Sequence, residues 1–134
     1  MKSNAHPVLR FGLLGNAFFS TACAAVLLIT AATLAPKMGL TDPAYLKSVG
    51  LSLIPFAIFL VIAANRASVR LKEVYLLSAM DAMWVVGSAI LLLSGIAPFT
   101  SLGIALVIGV AIMVGLLMCL QLWGARQHQR LLNP

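Results

Sequence analysis

The sequence predicts an all-α fold, a transmembrane four-helix bundle running up-down-up-down. Three observations predict it. The chain is 62% hydrophobic and only 9% charged, its apolar residues fall in four long runs, and the breaks between the runs carry caps, glycines and prolines. A soluble domain carries about 25% charged residues, so 134 residues of this composition expose more apolar surface than a soluble fold could hide. The length predicts one domain, 1–134, with no second one beside the bundle. Lipid offers peptide groups no hydrogen-bond partner, so each long run must bond within itself as a helix.

The first run is long enough to be retained as a span. Lys2 and Arg10 before an apolar stretch, with Thr33-Leu34-Ala35 further on, have the outline of a cleaved secretory signal. However, Phe11 to Pro36 holds about 26 uncharged residues, against about 7–15 in a signal's apolar region. A helix is therefore expected over residues 11–35, ended by Pro36, Lys37 and Gly39. On it Gly12, Asn16, Ser20 and Ala24 recur every four residues, a stripe of small side chains that lets a neighbouring backbone come close.

Thr41-Asp42-Pro43 is a helix-start signal, because Asp or Thr caps free N–H groups and Pro suits the first helical position. The second span is expected over residues 43–65. Its first turns carry Tyr45 and Lys47, which suit a membrane interface. Pro55 falls near its middle, where the missing N–H should kink the helix.

A charged loop of Arg66, Arg70, Lys72 and Glu73 follows. From there to Arg126, about 52 residues, Asp81 is the sole charged residue, and that interval is enough for two spans. The third is expected over residues 74–94, with a turn at Gly95-Ile96-Ala97-Pro98. The fourth is expected over residues 101–123, capped by Thr100 or Ser101. Ala105/Gly109 and Ala111/Gly115 on it are small-xxx-small pairs. Asn16-Ala17-Phe18-Phe19 and Asp81-Ala82-Met83-Trp84 align at one depth, but chance similarity between apolar helices accounts for that better than an internal repeat.

Charge placement sets the expected orientation. Lys2, Arg10, Arg66, Arg70, Lys72, Arg126 and Arg130 flank one side of the four spans, and Lys37 and Lys47 the other. The positive-inside rule puts the seven, and with them both termini, in the cytoplasm. Tyr75 and Trp123 then mark the inner interface and Tyr45 the outer one. The net charge of +6 lies beside the apolar runs and forms no basic patch interleaved with aromatics, so no nucleic-acid partner is expected; the expected surroundings are the lipid bilayer.

Asp81 is the residue with the most chemical potential. A carboxylate inside a span costs a few kcal/mol on insertion scales, so it should face the bundle interior or water and find a partner. Asn16 should reach a similar depth, and Asn65 and Gln121 should lie nearer the inner surface, so all four helices put a polar residue into the cytoplasmic third. Two readings stand side by side. Either Asp81 accepts a proton or a cation at the mouth of a small site, with Asn16 and the Pro55 kink lining it, or it is an interhelical clamp, bonded to Asn16 or ion-paired with Arg66 or Arg10.

Other chemistry finds little support. Cys23 and Cys119 fall in apolar runs at different depths and read as packing thiols. His6 and His128 are expected in the two tails, so no haem or metal site is expected, and no cofactor. Met80, Met83 and Met118 sit at helical packing positions. Nucleophile, general base and phosphate loop are all lacking as a set, so a non-enzymatic protein is expected.

With Leu13-Leu14-Gly15-Asn16-Ala17 in the first span, Gly50-Leu51 in the second, Asp81-Ala82-Met83-Trp84 in the third and Gln121-Leu122 in the fourth, the chain resembles small four-helix integral membrane proteins of bacteria. That resemblance covers most of the chain and implies a place in the bacterial inner membrane, but carries no activity. Small multidrug exporters share the length and span count, yet they are built around a Glu in the first helix, where this chain has Asn16. The expected function is helix–helix association, with itself or with another membrane protein; the alternative is a small-molecule or cation carrier using the Asp81 cluster.

Overall fold

The computed structural model describes residues 5–133, and Lys2 lies outside them. Among the described residues the chain forms four α-helices and no strand: α1 (Pro7–Met38), α2 (Ala44–Asn65), α3 (Leu71–Ser94) and α4 (Ser101–Leu132). Each is long and apolar enough to cross a membrane. At ~1.5 Å per residue, the 32 residues of α1 and of α4 reach ~48 Å, well beyond a hydrocarbon core of ~30 Å.

The helix ends differ from expectation in instructive ways. α1 does not stop at Pro36. It runs on to Met38 and is closed by Gly39, whose φ of 88° lies in the left-handed region. There the Gly39 N–H donates to the Pro36 carbonyl at 3.1 Å and the Leu40 N–H to the Ala35 carbonyl at 2.9 Å, the paired bonds of a Schellman motif. Proline in the last turn forfeits one hydrogen bond but leaves its own carbonyl free to accept, so the glycine, not the proline, sets the boundary. At the other end α1 starts at Pro7, a turn before Phe11, because His6 caps it by accepting the Val8 N–H at Nδ1, 3.3 Å away.

α2 opens with Asp42 accepting the Ala44 N–H at 2.8 Å and continues unbroken through Pro55. α3 begins at Leu71, so Glu73 sits in its first turn, where a carboxylate complements the helix dipole. α4 starts on Thr100, whose Oγ1 accepts the Gly103 N–H at 3.1 Å. The same hydroxyl donates to the Lys37 carbonyl at 2.6 Å, and the Thr100 N–H donates to the Met38 carbonyl at 3.0 Å. One residue thus caps α4 and ties it to the end of α1. At its far end α4 continues nine residues past Trp123.

Glycines set the packing between α1 and α4. A Cβ at Gly124 would sit 2.5 Å from Leu9 Cα, and one at Gly103 would sit 2.6 Å from the Met38 carbonyl oxygen. Both positions therefore require backbone against backbone. The α1 stripe expected from the sequence is buried along its length, at Gly12, Asn16, Ser20 and Ala24. Ala24 meets Gly50 of α2, where an added Cβ would lie 3.3 Å from the Ala24 carbonyl oxygen.

The helices pack in the order α2, α1, α4, α3, and α2 and α3 barely touch. Two apolar clusters show why. At the end carrying the α2–α3 loop, Leu9, Leu13 and Ala17 of α1 join Leu60, Ala63 and Ala64 of α2, Val74 and Leu77 of α3 and Ala125 of α4. At the opposite end Ala31, Ala35 and Met38 pack with Leu46, Phe99 and Val107, and no α3 residue takes part. α2 and α3 are thus held together at the loop end and diverge from it.

Candidate functional site

Asp81, Asn16 and Gln121 meet at the centre of the bundle, brought there from α3, α1 and α4. Asn16 Nδ2 donates to Asp81 Oδ2 at 2.7 Å, and Gln121 Nε2 donates to the same oxygen at 3.2 Å. All three are buried, Asp81 at 3% exposure and the two amides at 0%. Local sequence positions each donor. Ser20, one turn after Asn16, donates its hydroxyl to Asn16 Oδ1 at 3.3 Å, which leaves Nδ2 as the end of the amide that faces the carboxylate. Gly12, one turn before Asn16, has no side chain to hold α4 away. A Cβ there would stand 3.2 Å from the Gln121 backbone nitrogen, so the glycine lets the Gln121 amide reach Asp81.

The carboxylate is only half satisfied. Both amides use Oδ2, and among the described residues no side chain donates to Oδ1. Nearby, Ser78 Oγ, Trp84 Nε1 and Gln121 Oε1 are buried without a hydrogen-bond partner, an unusual density of unpaired polar atoms for a protein interior. Beside them is a cleft of about 180 Å³, with Phe19, Ser20 and Cys23 of α1, Ser52, Leu53 and Phe56 of α2, Met80, Asp81 and Trp84 of α3 and Val110 and Val114 of α4 around it. All four helices line it, and Ser52 of α2 and Met80 of α3, from the pair that barely touches, are exposed.

Not every residue expected here arrives. Asn65 is exposed, accepts from an Arg10 guanidinium N–H at 3.2 Å and donates to the Val61 carbonyl at 3.0 Å. It tethers α2 to the start of α1 and stands outside the Asp81 cluster. The expected ion pairs from Arg66 or Arg10 to Asp81 are also corrected. Arg66 Nε pairs with Glu73 Oε2 at 3.1 Å, with Arg70 on the other Glu73 oxygen at 3.4 Å, and Arg10 holds Asn65. The reason is depth. Asp81 is ten residues into α3, ~15 Å along its axis, whereas Glu73 stands at the level of the arginines. Pro55 is exposed and lies outside the cleft, which its neighbours Ser52, Leu53 and Phe56 line.

Sequence reasoning placed His128 in a tail, but it is buried at 2% exposure on the extended end of α4, with Nδ1 unpartnered. A usable signal was present. Gln121, Gly124, Ala125 and His128 follow one another by three, one and three residues, a single helical face, and all four are buried. Arg126 and Arg130 flank His128, which sets it beyond the apolar span. Burial, and then the nearby charge of His6, hold its imidazole below the ordinary histidine range.

Among the described residues no three His, Cys, Asp or Glu side chains gather as metal ligands, and Cys23 and Cys119 are free thiols. Chemically, Asp81 is the acid of the site, and the Ser20 hydroxyl and Cys23 thiol line the same cleft. Compared with protein-family models, curated proteins and solved structures, the chain matches none.

Proposed function

We propose that this chain is a non-enzymatic integral membrane protein that works through helix–helix association, as a homo-oligomer or as an accessory subunit of a membrane complex. In this reading its helices cross the bacterial inner membrane up-down-up-down, with both termini and the Arg66–Lys72 loop in the cytoplasm. The basic residues support that orientation, and so does the clustering of Arg10, Arg66, Arg70 and Glu73 at one end of the bundle.

The observation that carries association is a difference between small-residue stripes. The α1 stripe is used up inside the chain, whereas Ala105 and Gly109 on α4 are exposed and a Cβ at Gly109 would meet nothing within 4 Å. Lipid gives helices no hydrophobic reason to pair, and small residues that admit a second backbone are where membrane helices associate. The purified protein, measured in mild detergent by native mass spectrometry, is expected to be larger than one chain, and Gly109→Leu is expected to dissociate it while its helical circular dichroism stays unchanged. A wild-type protein that is monomeric and co-purifies with nothing at stoichiometric amount sinks this reading. Cysteine labelling at Gly95→Cys and at the C-terminal tail should reach opposite faces of the membrane.

A second reading has its own support. The cleft that reaches Asp81 between α2 and α3 fits a protein that binds or carries a small molecule or cation.

A further inference from the structure

We infer that the cleft between α2 and α3 is a binding site for a small organic cation, a one-ring alkylammonium ion whose charged nitrogen sits on Asp81 and whose ring lies among Phe19, Phe56 and Trp84. This rests on the second reading above and is independent of association.

The argument starts from charge. Asp81 is buried, takes two N–H donations on one oxygen and among the described residues has no side-chain donor on the other, which leaves Oδ1 open to a donor from the cleft. Both donors are neutral amides, and among the described residues no basic side chain pairs with Asp81; Arg66 and Arg70 pair with Glu73 and Arg10 bonds Asn65. A buried carboxylate without a cation is expensive, and such a residue in a membrane segment ordinarily has a partner. Asn16 and Gln121 give it hydrogen bonds but no charge, so a cation for it would come from outside the chain.

The shape of the cleft narrows the choice. A cavity of ~150 Å³ accommodates benzene, so the ~180 Å³ here exceeds what a bare metal ion needs and suits one ring with a short arm. Three aromatic side chains line it, and aromatic faces attract an ammonium through their quadrupole, more strongly where water is excluded. Apart from Ser20 and Ser52 the remaining lining is apolar, which favours a ligand that is apolar except at one end. Because α2 and α3 diverge from the loop end, the ligand can enter sideways between them.

The chain has two tryptophans, so Trp123→Phe leaves Trp84 as the sole indole reporter in the full-length protein. Titrated in detergent with benzylamine, this protein is expected to show a saturable change in Trp84 fluorescence, at least tenfold tighter than with benzyl alcohol, its neutral counterpart. Asp81→Asn should abolish that preference. If Asp81→Asn fails to fold, the wild-type ratio of amine to alcohol decides alone, with protection of Cys23 from a lipid-permeant maleimide as an independent readout on a Cys119→Ser background. Equal binding of amine and alcohol would overturn the ammonium assignment while leaving a small-molecule binder. Saturation by neither compound would overturn both, and so would an amine preference that survives Asp81→Asn overturn the role of Asp81.

Discussion

Along the seam between α1 and α4, three glycines bring two backbones together, Gly12 at Gln121, Gly103 at Met38 and Gly124 at Leu9. Along the seam between α2 and α3, Ser52, Leu53 and Phe56 stand opposite Met80 and Trp84 around a cleft. The four helices are alike in apolar character, so hydrophobicity does not separate the two seams. Side-chain size at the point of approach does. Where lipid is the solvent, a pair of helices gains from association only what close packing and hydrogen bonds supply. Glycine and small residues supply the first along α1–α4, and the bonds to Asp81 supply the second between α1, α3 and α4. Neither operates between α2 and α3 beyond their shared loop end.

One substitution made on both kinds of surface puts that comparison to its hardest test. Gly124→Ala forces a Cβ to within 2.5 Å of Leu9 backbone and should cost about 1–3 kcal/mol, the usual range for overpacking. Gly87→Ala, with nothing within 4 Å, should be neutral or stabilising by up to about 1 kcal/mol, since alanine favours a helix over glycine. Chemical unfolding in mixed micelles measures both, and equal effects would break the distinction between closed and open surfaces.

The clamp comes next in size. Asn16→Ala removes the shorter of the two bonds to the buried Asp81 carboxyl and is expected to cost roughly 1–2 kcal/mol, because it leaves a buried acceptor with one donor fewer. In a double-mutant cycle with Asp81→Ala the coupling should be about 0.5–2 kcal/mol. Additive effects would mean that the 2.7 Å contact holds nothing together.

The smallest effect concerns the charged end of the closed seam. His128 is buried there with its affinity for a proton lowered, so between its folded value and the unfolded value of ~6.5 the unfolded chain binds more protons. Its contribution to stability is complete above that unfolded value and is lost as pH falls through the lowered folded one. Wild-type Tm should therefore fall more between about pH 7.5 and about pH 5 than the Tm of His128→Leu, the linkage sign for a buried neutral imidazole. Equal slopes would place the pH sensitivity elsewhere.

Glu73 illustrates how far reading along the chain can go. It was legible as part of a charged loop, but its pairing with Arg66 depends on α3 starting at Leu71, a boundary that an apolar run does not mark. His128 illustrates the same limit at α4, where polar residues past Trp123 hid a helix that continues because α1 is there to cover its inner face. Asn65, expected nearer the inner surface than Asp81 but within the same polar cluster, is exposed and bonds Arg10 instead, because depth along a helix does not say which face a residue occupies.

What the sequence by itself determined is the set of four apolar helices, the turns at Gly39 and Gly95, the Thr100 cap, the α1 stripe and Asp81 as the polar residue in need of a partner. These follow from composition, period and local backbone chemistry, all of which act within a few residues of the chain. Only the tertiary structure decided that α2 and α3 stand apart, that Asn16 and Gln121 share one oxygen of Asp81, and that Arg66 goes to Glu73. Those outcomes depend on which faces of separate helices meet and at what depth, and a one-dimensional pattern of uniformly apolar helices carries almost no record of either.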